Sequence, residues 1–153
     1  MTDGPARRNP FEVVEEVRRM VAGEREAGTF AELFAEDGVM EYPFAPPGQP
    51  RHLRGREAVR QHFAARGAGA RNLLEMDGVD VLVRGTDDPE VVVTQIEHHG
   101  RSLATGEAYR FRALGVIRVR DGLIVSYEDY MDPIAMARLL GRTGDLAAAL
   151  TSA

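Results

Sequence analysis

The sequence predicts an α+β fold, a cone-shaped, curved antiparallel sheet with N-terminal helices packed on its concave face. Two observations carry this. Helical periodicity recurs between residues 9 and 67, and from residue 71 the pattern changes to long strands separated by short turns. Helices followed by a run of strands segregate to one face of an antiparallel sheet. A sheet covered on one side encloses a cone-shaped cavity, which is a place for a small ligand. The chain has 153 residues, 44% hydrophobic and 28% charged. That suits a single domain over residues 9–150, preceded by a flexible polar N-terminus, residues 1–8.

Asn9-Pro10-Phe11-Glu12 reads as a helix start, with Asn9 as cap, Pro10 in the first turn and Glu12 closing a capping box. Phe11, Val14, Val17 and Val21 follow at helical spacing and define a buried face. A second helix is expected from Thr29 as cap with Glu32 as its box partner, turning Phe30, Leu33 and Phe34 inward and stopping at Asp37-Gly38. Residues 39–44 form a short strand. Pro43, Pro46 and Pro47 then force a loop that runs through residues 49–53. A third helix over 55–67 brings Val59, His62, Phe63 and Arg66 to one face. An imidazole and a guanidinium on an apolar face are unusual.

Four strands follow. Residues 72–84 carry a bulge or turn at Asp77-Gly78, and 85–89 form a turn. Residues 90–99 are the next strand, 104–108 a hairpin turn, and 109–120 a long strand. Asp121-Gly122 turns the chain into the last strand, 123–131. Asp132-Pro133 caps a short helix over 134–140 that ends at Gly141, and another short helix covers 145–150.

Net charge is −5, from 19 basic and 24 acidic residues that are well mixed. No basic stripe points to nucleic acid. No apolar run approaches the roughly 20 residues of a membrane span. The opening MTDGPARRNP has no apolar core of a secretory signal, so a cytoplasmic location is expected. Cysteine is absent, which excludes disulfides, thiol nucleophiles and thiolate metal sites together.

The order of an EDG turn (36–38), a proline-rich loop, a GREAV helix and a final strand reading DGLI…YMDP resembles the SnoaL-like polyketide cyclases. These are relatives of nuclear transport factor two, ketosteroid isomerase, scytalone dehydratase and limonene epoxide hydrolase. The likeness covers residues 9–141. The GTDDP turn, His99-Gly100, His62 in the third helix and Asp129 before Tyr130-Met131 are similar to the phenazine-biosynthesis branch. EDYMD and ATGEAY are similar to limonene epoxide hydrolase. In that branch the resemblance puts one catalytic Asp at Asp129, but the Arg position holds Ile96 and the second Asp position holds His98. The epoxide-opening triad is broken.

Strand alternation sorts the side chains. On the last strand Leu123, Val125, Tyr127, Asp129 and Met131 share one face, opposite Ile124, Ser126, Glu128 and Tyr130. Val92, Thr94, Ile96 and His98 share a face away from Glu97 and His99. Met40 and Tyr42 lie opposite Glu41. Tyr109, Phe111, Ala113 and Ile117 lie opposite Arg110, Arg112, Arg118 and Arg120. The resemblance implies that the faces of Asp129, His98, Tyr42 and Phe111 line the cavity.

The expected catalytic set is therefore Asp129, His62, Tyr42 and His98. A carboxylate in an apolar wall has a raised pKa and serves as acid or base. Imidazoles shuttle protons, and a tyrosine hydroxyl donates to an enolate oxygen. Expected substrate contacts are Arg66 at the rim with Phe63, Ile96, Phe111, Ala113, Tyr127 and Met131. Asp132 reads as a helix cap, Glu128 as outward-facing and Asp37 as turn chemistry. His98 and His99 cannot chelate together from a regular strand, and acid–base chemistry next to a carbonyl needs no metal or organic cofactor, so neither is expected. Arg112, Leu114, Val116, Arg118, Ile124 and Tyr130 form an outer face suited to a homodimer through the sheet. Three functions compete. The first is a small biosynthetic enzyme acting by general acid–base catalysis on a hydrophobic carbonyl compound, by cyclisation, isomerisation or condensation. The others are an epoxide hydrolase or epoxide-opening cyclase, and a non-catalytic dimer that binds a small molecule.

Overall fold

Asn9 caps the first helix, α1 (Pro10–Val21), with the expected box: its side chain accepts from the Glu12 amide at 3.0 Å, and the Glu12 carboxylate accepts from the Asn9 amide at 2.8 Å. The computed structural model describes residues 7–26, 28–70 and 73–152, with 67–70 as helical backbone. Of the N-terminal segment expected to be flexible, only Arg7 and Arg8 fall within the described residues, and Arg7 pairs with Asp121 at 2.5 Å. The buried stripe of α1 is Val13, Val14, Val17 and Met20. Phe11, expected inside, is 52% exposed. Val13 and Met20 join Val14 and Val17 in the buried stripe, while Val21 packs only partly buried against the core.

The second helix is shorter than expected. α2 (Thr29–Glu32) is a single turn whose cap position is Gly28, with no side-chain cap bond. So short a helix gains little on its own. Phe34 instead joins the sheet in β1 (Phe34–Glu41), opposite Ile124. The register then slips between Phe34 and Val39. Gly38 permits this, since a Cβ there would stand 2.7 Å from the Ile124 carbonyl oxygen. A three-residue strand inside the expected loop, β2 (His52–Arg54), pairs with the end of β1. The later elements are α3 (Arg56–Ala70), β3 (Leu74–Gly85), β4 (Val91–Ser102), β5 (Ala108–Arg120), β6 (Leu123–Met131), α4 (Pro133–Leu139) and α5 (Thr143–Thr151).

The six strands form one curved sheet in the order β2-β1-β6-β5-β4-β3. All neighbours are antiparallel except β1 and β6, which run parallel. The expected bulge at Asp77 is present. The β5–β6 turn places Asp121 and Gly122 at φ 54° and 82°, the pattern of a tight hairpin turn. A second bulge follows: Arg118 faces Ser126 while Val119 faces Ile124, so Val125 is the extra residue. This reverses the alternation expected for the start of β6. Ile124, expected on the outer face, is fully buried, and Leu123 and Val125 do not share the face of Asp129.

The core lies between the sheet and α1, α2 and α3. Val92, Ile117, Val119 and Ile124 share one buried cluster with the valines of α1. Phe30 joins the two halves by edge-on contacts with Phe34 (5.3 Å), Phe63 (4.6 Å) and Tyr127 (6.2 Å). Outside, Glu97 is bound by Arg110 and Arg112, and Glu90 by Arg118 and Arg120. No helix among the described residues is long and apolar enough to cross a membrane.

Candidate active site

Asp129 sits near the end of β6, opposite Gly115 of β5, and faces the helical side of the sheet. Tyr127 and Met131 flank it on the same face. Together they line a cavity of about 710 Å³. Ile96, His98, Phe111 and Ala113 supply its sheet wall, and Tyr42, just after β1, closes it with Phe63 and Arg66 of α3. Strand parity puts Ile96, His98, Phe111, Ala113, Tyr127, Asp129 and Met131 on this one face of the sheet.

No hydrogen bond to the Asp129 carboxylate occurs among the described residues. Burial therefore acts on it unopposed except by the Arg66 guanidinium, and its pKa is pushed up to about 6. Two tyrosines stand close by. Burial and the Asp129 charge raise the pKa of both Tyr42 and Tyr127, so both remain protonated donors. The Tyr42 hydroxyl is 3.5 Å from the Met40 sulfur, a weak partner that a better acceptor displaces.

His62 lies one layer away. It lines a neighbouring cavity of about 350 Å³, which shares Tyr42, Arg66 and Met131 with the larger one. Its ring is 5.8 Å from Tyr42, and its Nε2 is 3.3 Å from Arg66 Nη1. Burial and Arg66 lower its pKa. His62 therefore lies beside Arg66 and Tyr42 as a neutral imidazole, on the side of the smaller cavity. His98 lines the larger cavity but far from Asp129. It lies four residues along β4 from Thr94, which faces Asp129 through Gly115. At ~3.3 Å per residue and ~4.8 Å per strand, the two Cα atoms are about 16 Å apart. The four expected catalytic residues thus divide: Asp129 and Tyr42 together, His62 behind them, His98 at the other end.

Sequence reasoning missed one wall. Met136, Leu140 and Arg142, from α4 and the turn after it, close both cavities, and Leu146 of α5 adds to the smaller one. The α4 pattern was legible, but where a short terminal helix docks depends on a distant contact. Ser102, buried on β4, donates to the Leu139 carbonyl at 2.7 Å and pins α4 there. Asp132 caps α4 as expected, accepting from the Ile134 and Ala135 amides. Among the described residues, no three His, Asp or Glu side chains converge as metal ligands would.

The SnoaL-like domain pattern matches residues 13–127. The chain belongs to the SnoaL-like family. It is 29% identical over 136 residues to the uncharacterised protein YesE of Bacillus subtilis, covering 87% of this chain and 90% of that one. It is 29% identical over 116 residues to an uncharacterised PhzA/B-like protein of Pseudomonas aeruginosa, covering 76% and 79%. A crystal structure from Catenulispora acidiphila with a ketosteroid isomerase-like fold superposes at a TM-score of 0.64 with 19% identity, over 90% of this chain and 98% of that one. That likeness shows the fold.

Proposed function

We propose that this SnoaL-like protein is a cofactor-independent acid–base enzyme acting on a small, hydrophobic carbonyl compound, with Asp129 moving the proton. One observation carries the reading: a carboxyl group without a hydrogen-bonding partner among the described residues, in a largely apolar cavity, with its pKa pushed up to about 6. Near neutrality such a group is ionised yet basic enough to remove a proton next to a carbonyl. Tyr42 and Tyr127 supply hydroxyls for the enolate oxygen that forms, in a site where donors count for more than in water. Arg66 holds the charge balance while Asp129 is ionised. Cyclisation, isomerisation and condensation all begin with this step. The epoxide-opening alternative has less support, because Ile96, buried and apolar, occupies the place where an arginine would be needed. The outer sheet face, where Leu114 is 42% exposed among arginines, favours a homodimer, which light scattering tests.

The step is measurable before the natural substrate is known. A panel of cyclic and aromatic ketones is incubated with the protein in D₂O, and exchange of the α-protons is followed by NMR. Exchange above buffer background that disappears in Asp129→Asn, with ketone binding retained, supports the reading. Exchange undiminished in Asp129→Asn removes Asp129 from the mechanism.

A further inference from the structure

The cavity has a second polar end. His98 Nδ1 and the Tyr109 hydroxyl are hydrogen-bonded at 2.9 Å, and the ring packs against Phe111 with centroids 5.3 Å apart. This fixes the imidazole plane and engages one of its nitrogens. The other, Nε2, has no partner among the described residues, and the ring lines the larger cavity. Burial and the neighbouring His99 lower the His98 pKa, so the imidazole is neutral and offers a directional contact instead of a charge. Tyr109 is kept protonated by burial and by Asp77, the extra residue of the β3 bulge. Ile96 and Ala113 are paired on the wall between His98 and Asp129, and Met20, Val21 and Met76 line the same cavity. The strand register separates the two polar ends by about 16 Å between Cα atoms.

We propose that the cavity takes an elongated, mostly apolar substrate whose far end carries a hydroxyl or carbonyl oxygen, recognised by His98 with Tyr109 as its positioning residue. This rests on the acid–base reading for the near end and assigns His98 to specificity, not proton transfer. A flat molecule of two linked rings spans such a cavity with one oxygen at each end. A small single-ring substrate leaves the His98 nitrogen and its desolvated surroundings without a partner, which costs affinity.

Two fluorescent probes of equal shape test this: trans-stilbene with one para-hydroxyl, and its para,para′-dihydroxy analogue. The dihydroxy probe is expected to bind about fivefold tighter, the value of one neutral hydrogen bond. His98→Phe, which keeps the packing on Phe111, removes the preference. Tyr109→Phe reduces it while leaving the affinity for the monohydroxy probe unchanged, which a merely structural role would not do. Asp129→Asn keeps the preference, so failure of the catalytic reading is seen separately. Equal affinities in the wild type, a preference that survives His98→Phe and Tyr109→Phe, or no binding of either probe overturns the proposal.

Discussion

Two shielded carboxylates, Glu97 and Asp129, lie on opposite faces of one sheet and behave in opposite ways. Glu97 is only 9% exposed, but what covers it is two arginines, Arg110 and Arg112, each bonded to one of its oxygens. Its pKa is lowered, by those hydrogen bonds first. Asp129 is covered by apolar walls and has Arg66 only as a nearby charge, and its pKa is pushed up to about 6. Being shielded from water does not set the direction of the shift. What does the shielding sets it: guanidiniums return the solvation that water provided, and aromatic and aliphatic side chains do not. The outer face stabilises ionised carboxylates, whereas the inner face holds one back from full ionisation and leaves it available for proton transfer.

Charge removal on the two faces breaks this comparison most sharply. Asp129→Asn should lower ketone exchange by about 10²–10⁴-fold, the usual worth of a positioned general base. Glu97→Gln should leave it unchanged, while lowering the melting temperature by an amount that shrinks with added salt. The wild-type pH profile of kcat/KM should fall below about pH 6 as Asp129 is protonated. A profile flat down to pH 4 would place the base elsewhere.

Stability should respond in the opposite sense to activity. Asp129 has a folded pKa near 6 against 3.8 for the free group. The folded state therefore binds more protons between those values, and stability is lost as pH rises from about 4 to about 6. Asparagine escapes that loss. Above pH 6.5, Asp129→Asn should be more stable than the wild type, by up to about 3 kcal/mol, and the gap should close below pH 4. Urea unfolding at the two pH values measures it. An Asn variant that is less stable at both would show that the carboxylate has a structural partner.

The same contrast explains what the sequence could reveal. Residues set by strand parity were legible: Asp129, Tyr127 and Met131 inside, Glu97 and Arg112 outside. So were caps and turns, whose chemistry is local, as at Asn9, Asp132 and Asp121-Gly122. Features settled by distant contacts were not. The bulge at Val125 exists because Ile124 is claimed by Leu33 and Phe34, whose helix was expected to continue. The α4 wall depends on one hydroxyl, Ser102. The division between Asp129 and His98 needed the pairing register, because face alone says nothing about distance along a strand.

Packing beneath Asp129 sharpens the inner half of the comparison. Gly115 is its partner on β5, and a Cβ there would stand 2.8 Å from Thr94 Oγ1 and 3.1 Å from Tyr127 Cε1. Gly115→Ala should cost about 1–3 kcal/mol by overpacking. It should also reduce exchange, since Tyr127 must move. If stability falls and exchange does not, Tyr127 has no part in holding the enolate.

The smallest expected effect tests how poor in polar partners the inner face is. Thr94 is fully buried, and its Oγ1 has no hydrogen-bond partner among the described residues. A desolvated hydroxyl without a partner works against folding, and valine matches its shape without it. Thr94→Val should therefore raise stability by about 1 kcal/mol, whereas the same exchange at a hydrogen-bonded threonine lowers it. Chemical denaturation resolves the sign. A loss would mean that the hydroxyl is satisfied, most simply by a water held between Thr94 and Tyr127. The floor beneath Asp129 would then be hydrated, and the apolar surroundings that raise its pKa would be confined to the cavity walls.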